Sequence, residues 1–253
     1  MYKIPANTLF MGQKLIYVPE CHSTNSLLND LNDSSALPEG TVLITDRQTA
    51  GRGQRGNSWE AAPGQNLTFS ILLRPGFLEL KDQFKLNMSI SLAVVEALRF
   101  IGSANVKLKW PNDIFIENKK VGGILIENQV QGPKLACSIA GIGLNINQQS
   151  FLTPDATSVY IFTGIESNLN SVFQGLIESL EGEYLDLRGK NSASLKRRYL
   201  KCLYKFNDSH QFESEGEKFT GVIHDIDDNG RLCVESDGVN RTFSFKEVRF
   251  LNG

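Results

Sequence analysis

Apolar residues recur along this chain with two periods, and the switches between them predict its elements. Residues 15–18 and 41–44 read as strands, and Leu27, Leu28 and Leu31 stand at helical spacing between them. Residues 67–73 read as a further strand, and 84–100 as a core helix that Gly102 can close. Alternation over 106–110 and 113–116 predicts two strands that meet at Pro111, which cannot donate to a central ladder. A turn at 117–119 leads into a strand over 120–127 with paired glycines, Gly122 and Gly123; an exposed edge strand at this hairpin could pair between subunits. A strand over 135–146 and helices over 169–187 and 193–204 follow.

Beyond Phe206 the texture changes to short alternating strands over 218–226, 232–235, 241–245 and 248–251, separated by Asp228-Asn229-Gly230 and Asp237-Gly238. The expected fold is α+β, with a mixed β-sheet flanked by helices over 1–204 and a small SH3-like β-barrel over 205–253.

Composition narrows the options. A length of 253 residues suits one large unit plus a small one, and a net charge of −2 gives no support to a general nucleic-acid surface, so no DNA binding is expected. Cys21, Cys137, Cys202 and Cys233 lie far apart without metal-ligand spacing, which reads as reduced thiols and no protein-held metal. The N-terminal residues form no signal peptide or membrane span, so a cytoplasmic protein is expected.

The densest candidate chemistry is the stretch 45–59, TDRQTAGRGQRGNSW, where Arg47, Arg52 and Arg55 alternate with three glycines. Gly51, Gly53 and Gly56 fit the dinucleotide spacing G-x-G-x-x-G, yet no helix pattern follows them, so that reading fails on context. The loop suits a phosphate or an activated carboxylate held by guanidinium and backbone N–H groups; a solvated surface hairpin is the plainer alternative. Ser23, Thr24 and Asn25 could cap a helix or line a pocket. Asn112 and Asp113 sit at the break between two strands, as a site or as an Asx turn.

Five segments stand in an order that closely resembles the biotin protein ligases: Ser23-Thr24-Asn25, the loop GRGQRGNSW, Lys109-Trp110-Pro111-Asn112-Asp113, the strand from Lys120 to Glu127, and Gly141-Ile142-Gly143-Leu144-Asn145. The resemblance implies a ligase that joins biotin to ATP, releases pyrophosphate, and passes biotin from biotinyl-5′-AMP to a lysine of a biotin carboxyl carrier protein. It also implies a form without the N-terminal winged-helix repressor found in some members, since the Ser-Thr-Asn motif begins at residue 23. By resemblance, Ser23, Thr24, Asn25, Gln48, Gly51 and Gly123 would hold biotin, and Arg52 and Lys120 would bind its carboxylate and the α-phosphate. Arg55, Trp59, Asn112 and Asn145 would contact ATP, and Asp113 would receive or orient the carrier lysine. Biotin and ATP are thus the expected substrates, with Mg²⁺ accompanying ATP, and the protein a monomer or homodimer. Gln54 and Asn57 depart from the family's commonest loop, which has arginines there. A lipoate or octanoate ligase and a non-catalytic small-molecule sensor are the rival readings.

Overall fold

The computed structural model describes residues 2–102, 105–189 and 192–251, with the side chains of Arg55, Ser192 and Ala193 outside that description. The first strand, β1 (Leu15–Cys21), leads through helix α1 (Thr24–Ser35) to a parallel neighbour, β2 (Val42–Gln48). Parallel strands need such a crossover, which a tight turn cannot supply. The remaining members of the sheet are β3 (Leu67–Leu73), β4 (Val106–Lys109), β5 (Asp113–Ile116), β6 (Lys119–Gln131) and β7 (Lys134–Leu144). They pair antiparallel, and the sheet runs β1-β2-β3-β7-β6-β5-β4.

Helices cover both faces. Helices α2 (Gln83–Phe100) and α4 (Leu169–Arg188) close one side over Val42, Ile44, Phe69, Ile71, Ala140, Ile142 and Leu144. On the other side α1 covers a smaller cluster of Leu43, Leu72, Cys137 and Ile139. Every residue of β3 is buried, as a strand covered on both faces requires.

After the short helix α3 (Val159–Thr163), α4 and α5 (Ser192–Cys202), a second sheet is built from β8 (Ser209–Ser214), β9 (Glu217–Ile226), β10 (Leu232–Ser236), β11 (Val239–Phe243) and β12 (Arg249–Phe250). It is antiparallel, in the order β11-β10-β9-β8-β12, and it docks on the first sheet at the β4–β5 turn. There the buried Trp110 donates its Nε1–H to the Gly230 carbonyl at 2.9 Å and meets the Phe245 ring edge-on at 5.2 Å.

Several elements differ from the sequence expectation for identifiable reasons. Strand β8 escapes the alternation test because Phe212 is its one fully buried residue. Helix α3 is a five-residue turn, capped by the Ser158 side chain, and is too short to show a period. The hairpin at 117–119 joins β5 and β6, and β5 pairs only with the first part of β6, from Lys119 to Gly123. No helix among the described residues is long and apolar enough to cross a membrane.

Candidate active site

Alternation along the strands divides the sheet into a core face and a site face. On the site face the pairing register sets one row across five strands: Lys109 opposite Asp113, Asp113 opposite Gly123, Gly123 opposite Gly143, and Gly143 opposite Thr68. Directly paired residues point to the same side, so two glycines form a trough between charged residues and a threonine. The next row, Ser70, Gly141 and Leu125, continues it toward α1. The trough is the floor of a cavity of about 390 Å³ whose lining includes Ser23, Thr24, Asn25, Gln48, Arg52, Trp59, Asn112, Asp113, Lys120 and Gly123. The second sheet closes one side with Phe245, Lys246, Val248, Arg249 and Phe250.

Ser23 is the N-cap residue of α1, with an extended backbone, but its hydroxyl makes no cap hydrogen bond. The capping alternative therefore does not account for this motif. Gln48 Oε1 accepts from Thr24 N at 2.7 Å and from Thr24 Oγ1 at 3.1 Å. Ser70 Oγ lies 2.6 Å from Asn25 Oδ1 and 2.7 Å from Thr24 Oγ1. Asn25 donates from Nδ2 to the Leu125 carbonyl and to Glu127 Oε2, at 3.2 and 2.7 Å. A Cβ on Gly141 would overlap Asn25 Oδ1, so only glycine there admits this amide.

The arginine loop leaves β2 and continues its pairing with the last residue of β1 and the one after it, through Thr49 N–H to Cys21 O and Ala50 N–H to His22 O, both at 2.9 Å. It then folds on itself: Trp59 N–H reaches Gly51 O at 2.9 Å, Gly53 N–H reaches Asn57 O at 2.7 Å, and Gln54–Gly56 makes a single 3₁₀ turn. That turn is no helix N-terminus for a pyrophosphate, which agrees with the rejected dinucleotide motif. Gly51 is not on the cavity wall but packs behind it, where a side chain would overlap the Trp59 carbonyl.

Two cations overhang the trough, each held by one carboxylate. Lys120 Nζ lies 2.6 Å from Asp113 Oδ1, and Arg52 Nη2 lies 2.8 Å from Glu127 Oε2. A third, Lys109, rests over the rings of Phe115 and Phe250, 4.8 and 5.2 Å from their centroids. Burial holds its ammonium below the ordinary lysine range, with Asp113 pulling the other way.

Trp59 lies across the trough. Gly143 leaves the space for its indole, Lys120 Nζ is 5.9 Å from the ring, and the buried indole Nε1 has no hydrogen-bond partner among the described residues. Asn145, the residue just past the end of β7, is also buried; its Nδ2 donates to Thr157 O at 3.0 Å while its Oδ1 has no partner among the described residues. Asn145 is not among the lining residues. Asn112 lines the cavity and donates to the Ile124 carbonyl at 2.6 Å. The Arg55 side chain lies outside the described residues.

Sequence reasoning did not assign Thr68, Ser70, Lys109 or Glu127 to the site. The first two carry a readable signal: they are alternate polar residues in the otherwise apolar strand LTFSILL. Among the described residues no three His, Cys, Asp or Glu side chains cluster to hold a metal ion.

Residues 17–145 match the biotin/lipoate A/B protein ligase family, and residues 211–250 match the biotin protein ligase C-terminal domain. The bifunctional ligase/repressor BirA of Bacillus spizizenii is 32% identical over 94% of this chain and 74% of its own length. The biotin--[acetyl-CoA-carboxylase] ligase of Mycobacterium tuberculosis is 31% identical over 89% of this chain and 85% of its own. The Aquifex aeolicus biotin protein ligase solved with biotin and ATP superposes with a TM-score of 0.79 at 28% identity, covering 95% of this chain and all of that one (100%).

Proposed function

The chain belongs to the biotin/lipoate A/B protein ligase family, and from that premise we propose that it activates biotin with ATP and passes it to a lysine of a biotin carboxyl carrier protein. The observation that carries the reading is the pair of cations, Arg52 and Lys120, poised over one trough of glycines beside an uncharged polar corner.

Ser23, Thr24, Asn25 and Gln48 form that corner, and they suit the neutral ureido head of biotin. Buried polar partners discriminate strongly, because an analogue without the matching groups leaves them unpaired. The ring system then lies over Gly123, which brings the carboxylate of the side chain to Lys120 and Arg52. Adenine is assigned to Trp59, Asn112 and Asn145; Trp59 Nε1 and Asn145 Oδ1, without partners among the described residues, are one donor and one acceptor, as the edge of a purine requires. Arg55 is assigned to the phosphates by the family resemblance alone. Mg²⁺ would accompany ATP, bound mainly through the phosphates and water.

A biotin carboxylate oxygen attacks the α-phosphorus, the bond to pyrophosphate breaks, and biotinyl-5′-AMP forms. Two unit anions about 4 Å apart repel by about 4 kcal/mol at an effective dielectric of about 20. Arg52 and Lys120 offset this repulsion where charge builds up. The carrier amine then attacks the acyl carbon and AMP leaves. Free thiols at Cys21, Cys137, Cys202 and Cys233 fit a reducing, cytoplasmic setting. We place the division between the catalytic unit and the C-terminal sheet at 204/205.

Incorporation of labelled pyrophosphate into ATP, dependent on biotin, tests the activity; the same exchange driven by lipoate or octanoate instead would transfer the assignment to the rival ligases. Asp113, once Lys120 has turned to the anions, is free to orient the carrier ammonium or take its proton. Asp113→Asn is expected to slow transfer from preformed adenylate about 10²-fold, read by gel shift of a biotinylated carrier domain; transfer at the wild-type rate removes Asp113 from that step.

The adenylate is a mixed anhydride that a closing loop must keep from water. Gln54 lines the cavity where the family's commonest loop has an arginine. Gln54→Arg is expected to lower the rate of adenylate release about tenfold through an added charge-assisted hydrogen bond, measured by chase with unlabelled biotin. Unchanged release would show that Gln54 does not govern retention.

A further inference from the structure

We propose that Glu127 is a positioning residue for Arg52: one carboxylate oxygen holds the loop cation and the buried Asn25 amide together, so that the guanidinium faces the cavity before any anion arrives. The proposal rests on the biotin ligase reading and adds to it a residue that touches neither substrate.

Glu127 Oε2 accepts from Asn25 Nδ2 at 2.7 Å and from Arg52 Nη2 at 2.8 Å. Asn25 cannot swing away to release the carboxylate. Its Nδ2 also donates to the Leu125 carbonyl, its Oδ1 is met by Ser70 Oγ, and Gly141 is cut back to fit it. The carboxylate is thus registered against the rigid floor of the sheet, whereas Arg52 belongs to a loop joined to the sheet at its ends. A guanidinium has five N–H donors in a fixed fork, and Glu127 engages one nitrogen, Nη2. Among the described residues no other hydrogen bond engages the guanidinium, so its other edge can meet a carboxylate or phosphate without breaking the ion pair.

The pair is half exposed, with side-chain exposures of 44% for Arg52 and 41% for Glu127, so it contributes little to folding stability. Its value lies in placement. A cation already oriented loses less freedom when the ligand arrives. Preorganisation of this size, up to about 1 kcal/mol for a partly exposed pair, corresponds to about a fivefold change in affinity.

The test is biotin affinity by titration calorimetry on the full chain in a double-mutant cycle. Glu127→Ala is expected to weaken biotin about fivefold in the wild-type background and less than about twofold in an Arg52→Ala background, since the residue acts through the guanidinium. Glu127→Gln keeps an acceptor of the same reach for Asn25 and is expected to recover part of the loss; it also carries the test if Glu127→Ala fails to fold. Equal losses in both backgrounds, or no loss, would overturn the proposal. So would tighter binding in Glu127→Ala, which would mean that the carboxylate competes with substrate for Arg52. A wild-type chain that binds no biotin would instead remove the functional reading beneath it.

Discussion

Replacing Lys120 by methionine is expected to lower biotin-dependent pyrophosphate exchange about 10³-fold while leaving the thermal midpoint within a few degrees. The separation of the two effects follows from how the residue is held. Its backbone belongs to the sheet margin, with Lys120 N–H bonded to Asp155 O at 2.7 Å and Thr157 N–H bonded to Lys120 O at 2.8 Å, and neither bond depends on the side chain. Methionine fills most of the stem's volume and removes only the ammonium. The partner left behind, Asp113, is partly exposed, so water can solvate it. What is lost is a cation over Gly123, where a carboxylate and a phosphate must meet. Exchange within about tenfold of wild type would mean that the repulsion between the two anions is relieved elsewhere.

The adjacent glycines of β6 should respond to the same substitution in opposite ways. A methyl group at Gly122 would overlap Leu144 Cδ2 and lie 2.8 Å from the Gly143 carbonyl oxygen. Backbone cannot yield as a side chain can, so Gly122→Ala is expected to cost about 3 kcal/mol of stability, read as a lower denaturant midpoint. At Gly123 the nearest atoms to such a methyl are Lys120 Cε at 3.5 Å and Asp113 Oδ1 and Lys120 Nζ, each at 3.6 Å, which are ordinary contacts. Gly123→Ala should therefore fold normally, but its methyl projects into the trough and should raise KM for biotin by about 10- to 100-fold. Equal stability for the two variants, or an unchanged KM for Gly123→Ala, would contradict this division of labour.

These neighbours show how far the sequence could be read. Paired glycines inside a strand announce that something must come close, and the structure separates the two causes: Gly122 yields to β7 on the core face, Gly123 to the cavity. The mixed sheet and the small C-terminal sheet were legible because period-2 and period-3.6 runs are long there. Strand β8 and helix α3 were not, one having a single fully buried residue and the other a single turn. Within the site, Ser23, Thr24, Gln48, Arg52, Asn112, Asp113 and Lys120 meet at one cavity although they come from separate segments. Their ion pairs were invisible beforehand, because the pairing of Glu127 with Arg52 depends on a loop meeting a strand 75 residues away. Lys109 likewise sits between Phe115 and Phe250, rings brought together from two sheets, and no local pattern encodes such a contact.

The central claim is that two cations, held in advance by carboxylates, carry the acyl and phosphoryl groups of one intermediate. A crystal structure of the protein with a non-hydrolysable biotinyl-adenylate analogue examines it most directly. Lys120 Nζ is expected to leave Asp113 and, with the free edge of Arg52, to lie within about 3 Å of the linkage oxygens, while Glu127 keeps Arg52 Nη2. An analogue bound in the cavity with Lys120 still on Asp113 and Arg52 turned to solvent would contradict the account.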